Sequence, residues 1–116
     1  MTISNVIAVA FVADFDNGVA FYERLLGQPP TARPMSGSAI WQLTDSGALQ
    51  VNHVRERAGQ AAVVLAVEDV DAFVVAARAR GFELDAESEP TGHFRLAALD
   101  DPAGNTITFS QTLTPA

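Results

Sequence analysis

Val12-Ala13-Asp14-Phe15-Asp16-Asn17-Gly18-Val19 returns, roughly 55 residues later, as Val67-Glu68-Asp69-Val70-Asp71-Ala72-Phe73-Val74. The paired positions are Val12 with Val67, Asp14 with Asp69, Asp16 with Asp71 and Val19 with Val74. Each copy is preceded by a short apolar run rich in β-branched residues, Val6 to Val12 and Ala61 to Val67, which reads as a buried strand. Each aspartate then stands where a helix wants an N-cap, because its carboxylate can accept an otherwise orphaned backbone N–H. Behind Asp14, residues Val19, Tyr22, Leu25 and Leu26 recur at helical spacing and Gly27 closes the helix. Behind Asp69, Val70, Phe73, Val74 and Ala77 form a second stripe that ends near Gly81. The same strand-to-helix grammar twice in one chain points to a duplicated unit.

Working outward, Gln28-Pro29-Pro30 and Pro34 to Gly37 break the chain after the first helix. Two strands are expected at Ala39 to Thr44 and Ala48 to Val54, joined by the turn Asp45-Ser46-Gly47. Arg55, Glu56 and Arg57 open a polar connector that runs to Gln60. In the second half a short segment from Phe82 to Asp85 precedes a Glu/Ser/Pro/Thr/Gly loop. Strands then follow at about Phe94 to Leu99 and Asn105 to Gln111, with a turn at Asp101-Pro102-Ala103-Gly104 and a frayed tail from Thr112 to Ala116. The fold class expected is α+β: one domain over residues 1–116, built of tandem βαβββ modules at about 5–55 and 61–111.

Composition narrows the function. A chain of 116 residues, 48% hydrophobic and 18% charged, can bury one core and not two. The absence of cysteine removes thiol catalysis, Cys-ligated zinc and disulfide scaffolds, and suits a reducing cytoplasm. Thr2 to Asn5 carries no basic residue ahead of the apolar run, unlike a secretory leader, and no apolar stretch approaches the ~18 residues of a membrane span. The net charge is −7, and all seven basic residues are arginines. That surface repels phosphate backbones, so nucleic acid is not an expected partner, whereas a cationic ligand would be tolerated or attracted.

Three segments, in order, resemble the vicinal oxygen chelate superfamily, which includes glyoxalases, bleomycin-resistance proteins and dioxygenases. They are Val12-Ala13-Asp14-Phe15 with Phe21-Tyr22-Glu23-Arg24-Leu25-Leu26-Gly27, then Ala66 to Ala72, then Asp101-Pro102-Ala103-Gly104-Asn105 followed by Thr106-Ile107-Thr108-Phe109. The resemblance implies a curved mixed sheet around a pocket and a homodimer. In the family's metal enzymes four strands each offer one ligand, commonly His, Glu or Gln. Carried onto this chain, those positions are Ile7, Gln50, Ala62 and Thr108. Ile7 and Ala62 have no donor atom, and an amide or a threonine hydroxyl is a poor ligand beside imidazole or carboxylate. A slip of one residue offers Val6 or Ala8, Leu49 or Val51, Ala61 or Val63, and Ile107 or Phe109, none of them a ligand. The chain is expected to hold no metal and no other cofactor, so the metal-assisted mechanisms do not transfer.

Strand alternation suggests what would line the pocket. The bulky phase should pack under the helices. The small or polar phase should face the guest: Gln50 and Asn52, Ala62 and Val64, Thr106 and Thr108, over an apolar floor of Ile7, Val9 and Phe11. Trp41 is either an aromatic wall against a planar guest or a core residue. A filled, vestigial cleft is the bland alternative. His53 and His93 are the only histidines and the first choices if acid–base catalysis exists; ordinary surface residues are the competing reading. Arg95 reads as a salt-bridge partner of acids such as Glu87 or Glu89. Three functions compete. The leading one is a metal-independent binder of a small, drug-like or cationic aromatic molecule. The others are a cofactor-free isomerase or lyase using the same pocket, and a self-association or partner module.

Overall fold

In the computed structural model, residues 1–113 are described. Seven strands and two α-helices run in the order β1 (Val6–Val12), α1 (Phe15–Leu26), β2 (Ser38–Thr44), β3 (Gly47–His53), β4 (Ala62–Ala66), α2 (Val70–Ala79), β5 (Glu87–Ser88), β6 (Phe94–Asp100) and β7 (Thr106–Thr112). A short 3-10 turn, Arg55–Arg57, connects the halves. They form two mixed sheets, ordered β1-β3-β2 and β4-β7-β6-β5. No helix among the described residues is long and apolar enough to cross a membrane.

The duplicated aspartates do what their position dictates. Asp14 Oδ1 accepts from the Asn17 amide at 3.1 Å and Asp69 Oδ1 from the Ala72 amide at 3.0 Å, each capping its helix. Gly27 ends α1 at φ 74°, a left-handed conformation that a side chain would strain, and its N–H closes on the Glu23 carbonyl. In each module the strand before the helix pairs in parallel with the last strand: β1 with β3, β4 with β7. That parallel pairing requires a crossover, and the helix supplies it.

Alternation then sorts the side chains. Ala10, Val12, Trp41, Leu49 and Val51 of the first sheet and Val63, Ala97, Ile107 and Phe109 of the second lie buried beneath the helices. They join Val19, Tyr22, Leu25, Val70, Val74 and Ala77 in one core that spans both modules. Phe21 meets Phe82 edge to face at 5.3 Å between ring centroids, and Phe73 stacks on Phe109 at 3.9 Å.

The structure corrects three local expectations. The stretch read as a loop after Asp85 contains the two-residue strand β5, whose Glu87 and Ser88 pair with Leu96 and Arg95 at the sheet edge. In the first module the corresponding edge is a single bridge between Ala32 and Ile40, ahead of β2. Arg95 does not pair with Glu87 or Glu89; it grips the Asp71 carboxylate of α2 at 2.8 and 2.9 Å. Thr112 belongs to β7, and the Leu113 amide donates to the His93 carbonyl at 2.8 Å, while residues 114–116 of the expected tail lie outside the described residues.

Candidate functional site

Each sheet has one face under a helix and one that no helix covers. On the first sheet the uncovered face is set by register: Ile7 stands opposite Ala48, Val9 opposite Gln50 and Phe11 opposite Asn52. Across β3, Gln50 stands opposite Ile40 and Asn52 opposite Ser38. On the second sheet Ala62 stands opposite Thr106, Val64 opposite Thr108 and Ala66 opposite Ser110. Of the ten residues expected to line a pocket, nine therefore lie on these two open faces. Ile7 is 43% exposed and Val64 65%, large values for apolar side chains at strand positions.

Trp41 is the exception. It pairs with Leu49, so alternation turns it toward α1, where it is fully buried beside Tyr22 with its indole N–H donating to the Gln28 carbonyl at 3.0 Å. A ring satisfied and covered in this way is a core residue and no wall of an open pocket.

The first open face carries a preorganised polar comb. Ser38, buried to 3% exposure, donates from Oγ to Asn52 Oδ1 at 2.8 Å. Gln50 Nε2 donates to Ser38 Oγ and to Asn52 Oδ1, both at 3.0 Å. Ser38 fell just outside the strand expected from sequence, and only the β2–β3 register brings it between the two amides. At one end of the comb Phe11 meets the Arg57 guanidinium, 5.4 Å from its ring centroid, beside a recess of about 240 Å³ shared with Gln60 and Ala61. The second open face carries the small groups Ala62, Ala98, Thr106, Thr108 and Ser110 beside the larger Val64, Leu96 and Phe94, with Thr106 Oγ1 donating to Asp100 Oδ1 at 2.9 Å.

Between the modules, where the starts of β1 and β2–β3 turn face the end of β4, lies an apolar cleft of about 480 Å³. Its walls include Ala8, Leu26, Leu43, Leu65, Phe73 and Phe109. Val64, expected from sequence to line a pocket, also borders it, alongside Leu26 and Phe73 of the expected helix stripes, and the cleft opens because β1 and β4 touch without pairing as strands.

The two modules are tied at the other end of β1 by a buried latch. Asp101 Oδ2 accepts from the Tyr22 hydroxyl at 2.6 Å and from Asn105 Nδ2 at 2.8 Å, while Oδ1 accepts from the Ala103 and Asn105 amides. Asn105 Nδ2 also donates to the Phe11 carbonyl, and its Oδ1 accepts from the Ala61 amide, both at 2.9 Å. Burial and then the Asp101 carboxylate push the Tyr22 phenol far above its ordinary value, so it stays a protonated donor. The Asp101-to-Asn105 turn thus joins the first helix, the first strand and the start of the second module, and holds Phe11 in place on the open face.

His53 ends β3 in phase with Leu49 and Val51, and His93 lies in the loop before β6; both are exposed. Neither imidazole has a hydrogen bond, or a carboxylate within salt-bridge distance, among the described residues. The four positions at which the resemblance implies metal ligands, Ile7, Gln50, Ala62 and Thr108, sit on β1, β3, β4 and β7 with no acidic or imidazole donor among them. No group of three or more His, Cys, Asp or Glu side chains is gathered anywhere among the described residues. The residues present do not fit a divalent ion.

These features match known proteins over nearly the whole chain. Residues 5–109 fit the family model of the Glyoxalase/Bleomycin resistance protein/Dioxygenase superfamily. A glyoxalase/bleomycin resistance protein from Catenulispora acidiphila is 36% identical, with 97% of this chain and 99% of that one aligned and a TM-score of 0.87. A bleomycin-binding protein solved with bleomycin is 25% identical, covering 93% and 98% of the two chains at a TM-score of 0.77. An antibiotic-binding protein from Streptomyces sp. CB03234 is 26% identical, covering 97% and 98% at 0.76. No match is found among the curated proteins. The chain belongs to the glyoxalase/bleomycin resistance/dioxygenase superfamily.

Proposed function

We propose that this protein is a homodimeric, metal-independent binder that sequesters a small organic molecule, drug-like or a cationic aromatic, in the cytoplasm without transforming it. The observation that carries this reading is the first open face: an apolar strip of Ile7, Val9 and Phe11 alongside a comb of Ser38, Gln50 and Asn52 already locked by its own hydrogen bonds. Pockets for small molecules combine apolar area with a few convergent polar groups in this way. Two relatives at 25% and 26% identity are described as binding bleomycin and an antibiotic. The charge of −7 favours a cationic guest. Exposed Ile7, Val64 and Phe94 on the open faces favour a second copy covering them. The isomerase or lyase reading gains nothing from His53 and His93, whose imidazoles lack an orienting carboxylate among the described residues.

The test is thermal unfolding with bleomycin and a panel of planar aromatic cations, with sedimentation to give the mass. A ligand at a hundredfold its Kd adds about 2.7 kcal/mol. The expected result is a saturable rise in Tm without chemical change in the ligand, and a particle of twice 12.3 kDa. Absence of stabilisation across the panel, or about one equivalent of ion retained after dialysis against zinc, nickel, manganese or iron, would overturn the reading.

A further inference from the structure

The comb on the first open face has a hydrogen-bonding remainder with a definite chemical complement. Its internal bonds use Ser38 Oγ as donor and acceptor, Gln50 Nε2 as a two-way donor and Asn52 Oδ1 as a double acceptor. Two groups have no partner among the described residues: the Gln50 carbonyl oxygen and the Asn52 amide nitrogen. Neither is sealed off, since no buried side-chain nitrogen or oxygen lacks a hydrogen bond among the described residues. One acceptor and one donor thus reach solvent from residues two apart on β3. Turning both amides end for end exchanges their roles and again leaves one donor and one acceptor, so the pairing follows from the cluster and not from either rotamer.

An outward acceptor on Gln50 and an outward donor on Asn52 together complement a group that offers both N–H and C=O, as a primary carboxamide or a lactam does. A carboxylate offers two acceptors and an ammonium only donors, so each satisfies half of the pair and leaves the other half desolvated. Ser38 is buried and bonded to both amides, which removes much of their rotational freedom before a guest arrives. Val9 and Phe11, opposite Gln50 and Asn52 in the parallel register, supply the apolar surface along which a flat body would lie, and Arg57 bounds its far end. Resting on the small-molecule reading above, we infer that the first open face selects flat guests through an uncharged carboxamide or lactam edge, received by Gln50 and Asn52.

The experiment follows the side-chain amide signals of Gln50 and Asn52 in the full-length, 15N-labelled protein by NMR, titrated with benzamide, acetophenone and benzylamine at matched salt. Benzamide offers both complements, acetophenone only an acceptor, benzylamine only donors. Benzamide is expected to bind about tenfold more tightly than either, the worth of one added hydrogen bond. Asn52→Asp keeps the inner oxygen that Ser38 and Gln50 grip and replaces the outward donor with an acceptor. It should erase the preference for benzamide and turn it toward benzylamine. Equal binding of all three probes, with shifts at Val9 and Phe11 and no response to Asn52→Asp, would overturn amide selection while leaving small-molecule binding standing. Silence of this face toward every probe, and toward bleomycin, would overturn both.

Discussion

Replacing Asn105 by aspartate changes one NH₂ to an oxygen and no volume, yet it strikes the latch at its centre. The amide nitrogen is fully buried and donates twice, to the Phe11 carbonyl and to Asp101 Oδ2. In Asn105→Asp both bonds vanish, and a new carboxylate faces a carbonyl on one side and a carboxylate on the other. A buried group left without its partner costs about 1–3 kcal/mol, and breaking a buried charged cluster about 3–5 kcal/mol. The second figure is the better guide here, because repulsion accompanies the lost bonds. It is a large fraction of the roughly 5–15 kcal/mol that holds a domain together. For a chain of this size it corresponds to roughly 10–20 °C in Tm. The sign with pH is a separate check. Burial and the Asp101 charge raise the introduced carboxyl above its unfolded value of about 3.9, so the penalty is full above the raised value and shrinks as pH falls toward 3.9. Urea unfolding of wild type and variant at pH 7 and pH 5 measures both. A difference under about 1 kcal/mol at pH 7, or one that grows on acidification, would refute the latch as the tie between modules.

Tyr22 is the only tyrosine, so an alkaline titration read by ultraviolet absorbance reports one phenol. Its folded value is raised above the ordinary 10.0, so its contribution to stability is full below pH 10 and is lost above it. Ionisation should therefore coincide with unfolding; a reversible titration near pH 10 in the folded protein would show the phenol is not buried against Asp101. Gly59 sits at φ 81°, and an added Cβ would come within 2.3 Å of the Ala103 carbonyl oxygen. Gly59→Ala should cost about 1–3 kcal/mol in chemical denaturation, and a neutral result would mean that the connector does not press on the Asp101–Asn105 turn. Hydrogen bonds from the Thr91 hydroxyl, the Thr91 amide and the His93 amide hold the Glu89 carboxyl down at about 2. That stabilises the loop above about pH 4.5 and is lost as pH falls toward 2, and carbon NMR of the glutamates should find Glu89 titrating last on acidification. Arg95→Ala should lower Tm only slightly and leave ligand binding unchanged, since Arg95 faces Asp71 on the helix side; loss of binding would move the ligand to that side.

Most of the scaffold was legible because it rests on local rules. Asp14 and Asp69 are caps by chemistry, and the apolar runs are strands by length and branching. Period two separates the two phases of each strand, and the small or polar phase grouped Gln50 and Asn52 with Ile7, Val9 and Phe11 on the first sheet and Thr106 and Thr108 with Ala62 and Val64 on the second. What escaped depends on register or on distance in the chain. Trp41 could not be oriented until its partner was known to be Leu49, and Ser38 joined the comb only through its pairing with Asn52. Arg95 found Asp71, 24 residues earlier on α2, in preference to the acids beside it in sequence. Two residues of β5 carry too little pattern to announce a strand. The Asp101-to-Asn105 turn was read as a bend, and its reach to Tyr22, Phe11 and Ala61 needed three other elements in place.

If a second copy covers the open faces, as in the function proposed above, the duplication bears on how it would be arranged. In both modules the central helix-facing positions are apolar, with Arg95 and Gln111 reaching α2 only at the strand ends, whereas several open positions have diverged in size. Val9 beside Gln50 in the first sheet corresponds to Val64 beside Thr108 in the second, and Phe11 beside Asn52 to Ala66 beside Ser110. At these positions the first half presents a ring and two amides and the second methyls and hydroxyls, with the Phe94 ring at the far end of the second face. Charge divides the same way: Arg57 borders the first face at Phe11, while Asp100 and Glu87 stand on the second through their pairing with Thr106 and Leu96. Two copies related by a twofold axis, each setting its first face against the other's second, would match large against small and cation against anion at both contacts. A dimer joined first face to first face would crowd two Phe11 rings and two Arg57 cations together. Neutralisation separates the cases, because Arg57→Gln should weaken the first arrangement by removing the cation beside Asp100, and should strengthen the second, most visibly at low salt, by removing the repulsion between two guanidiniums.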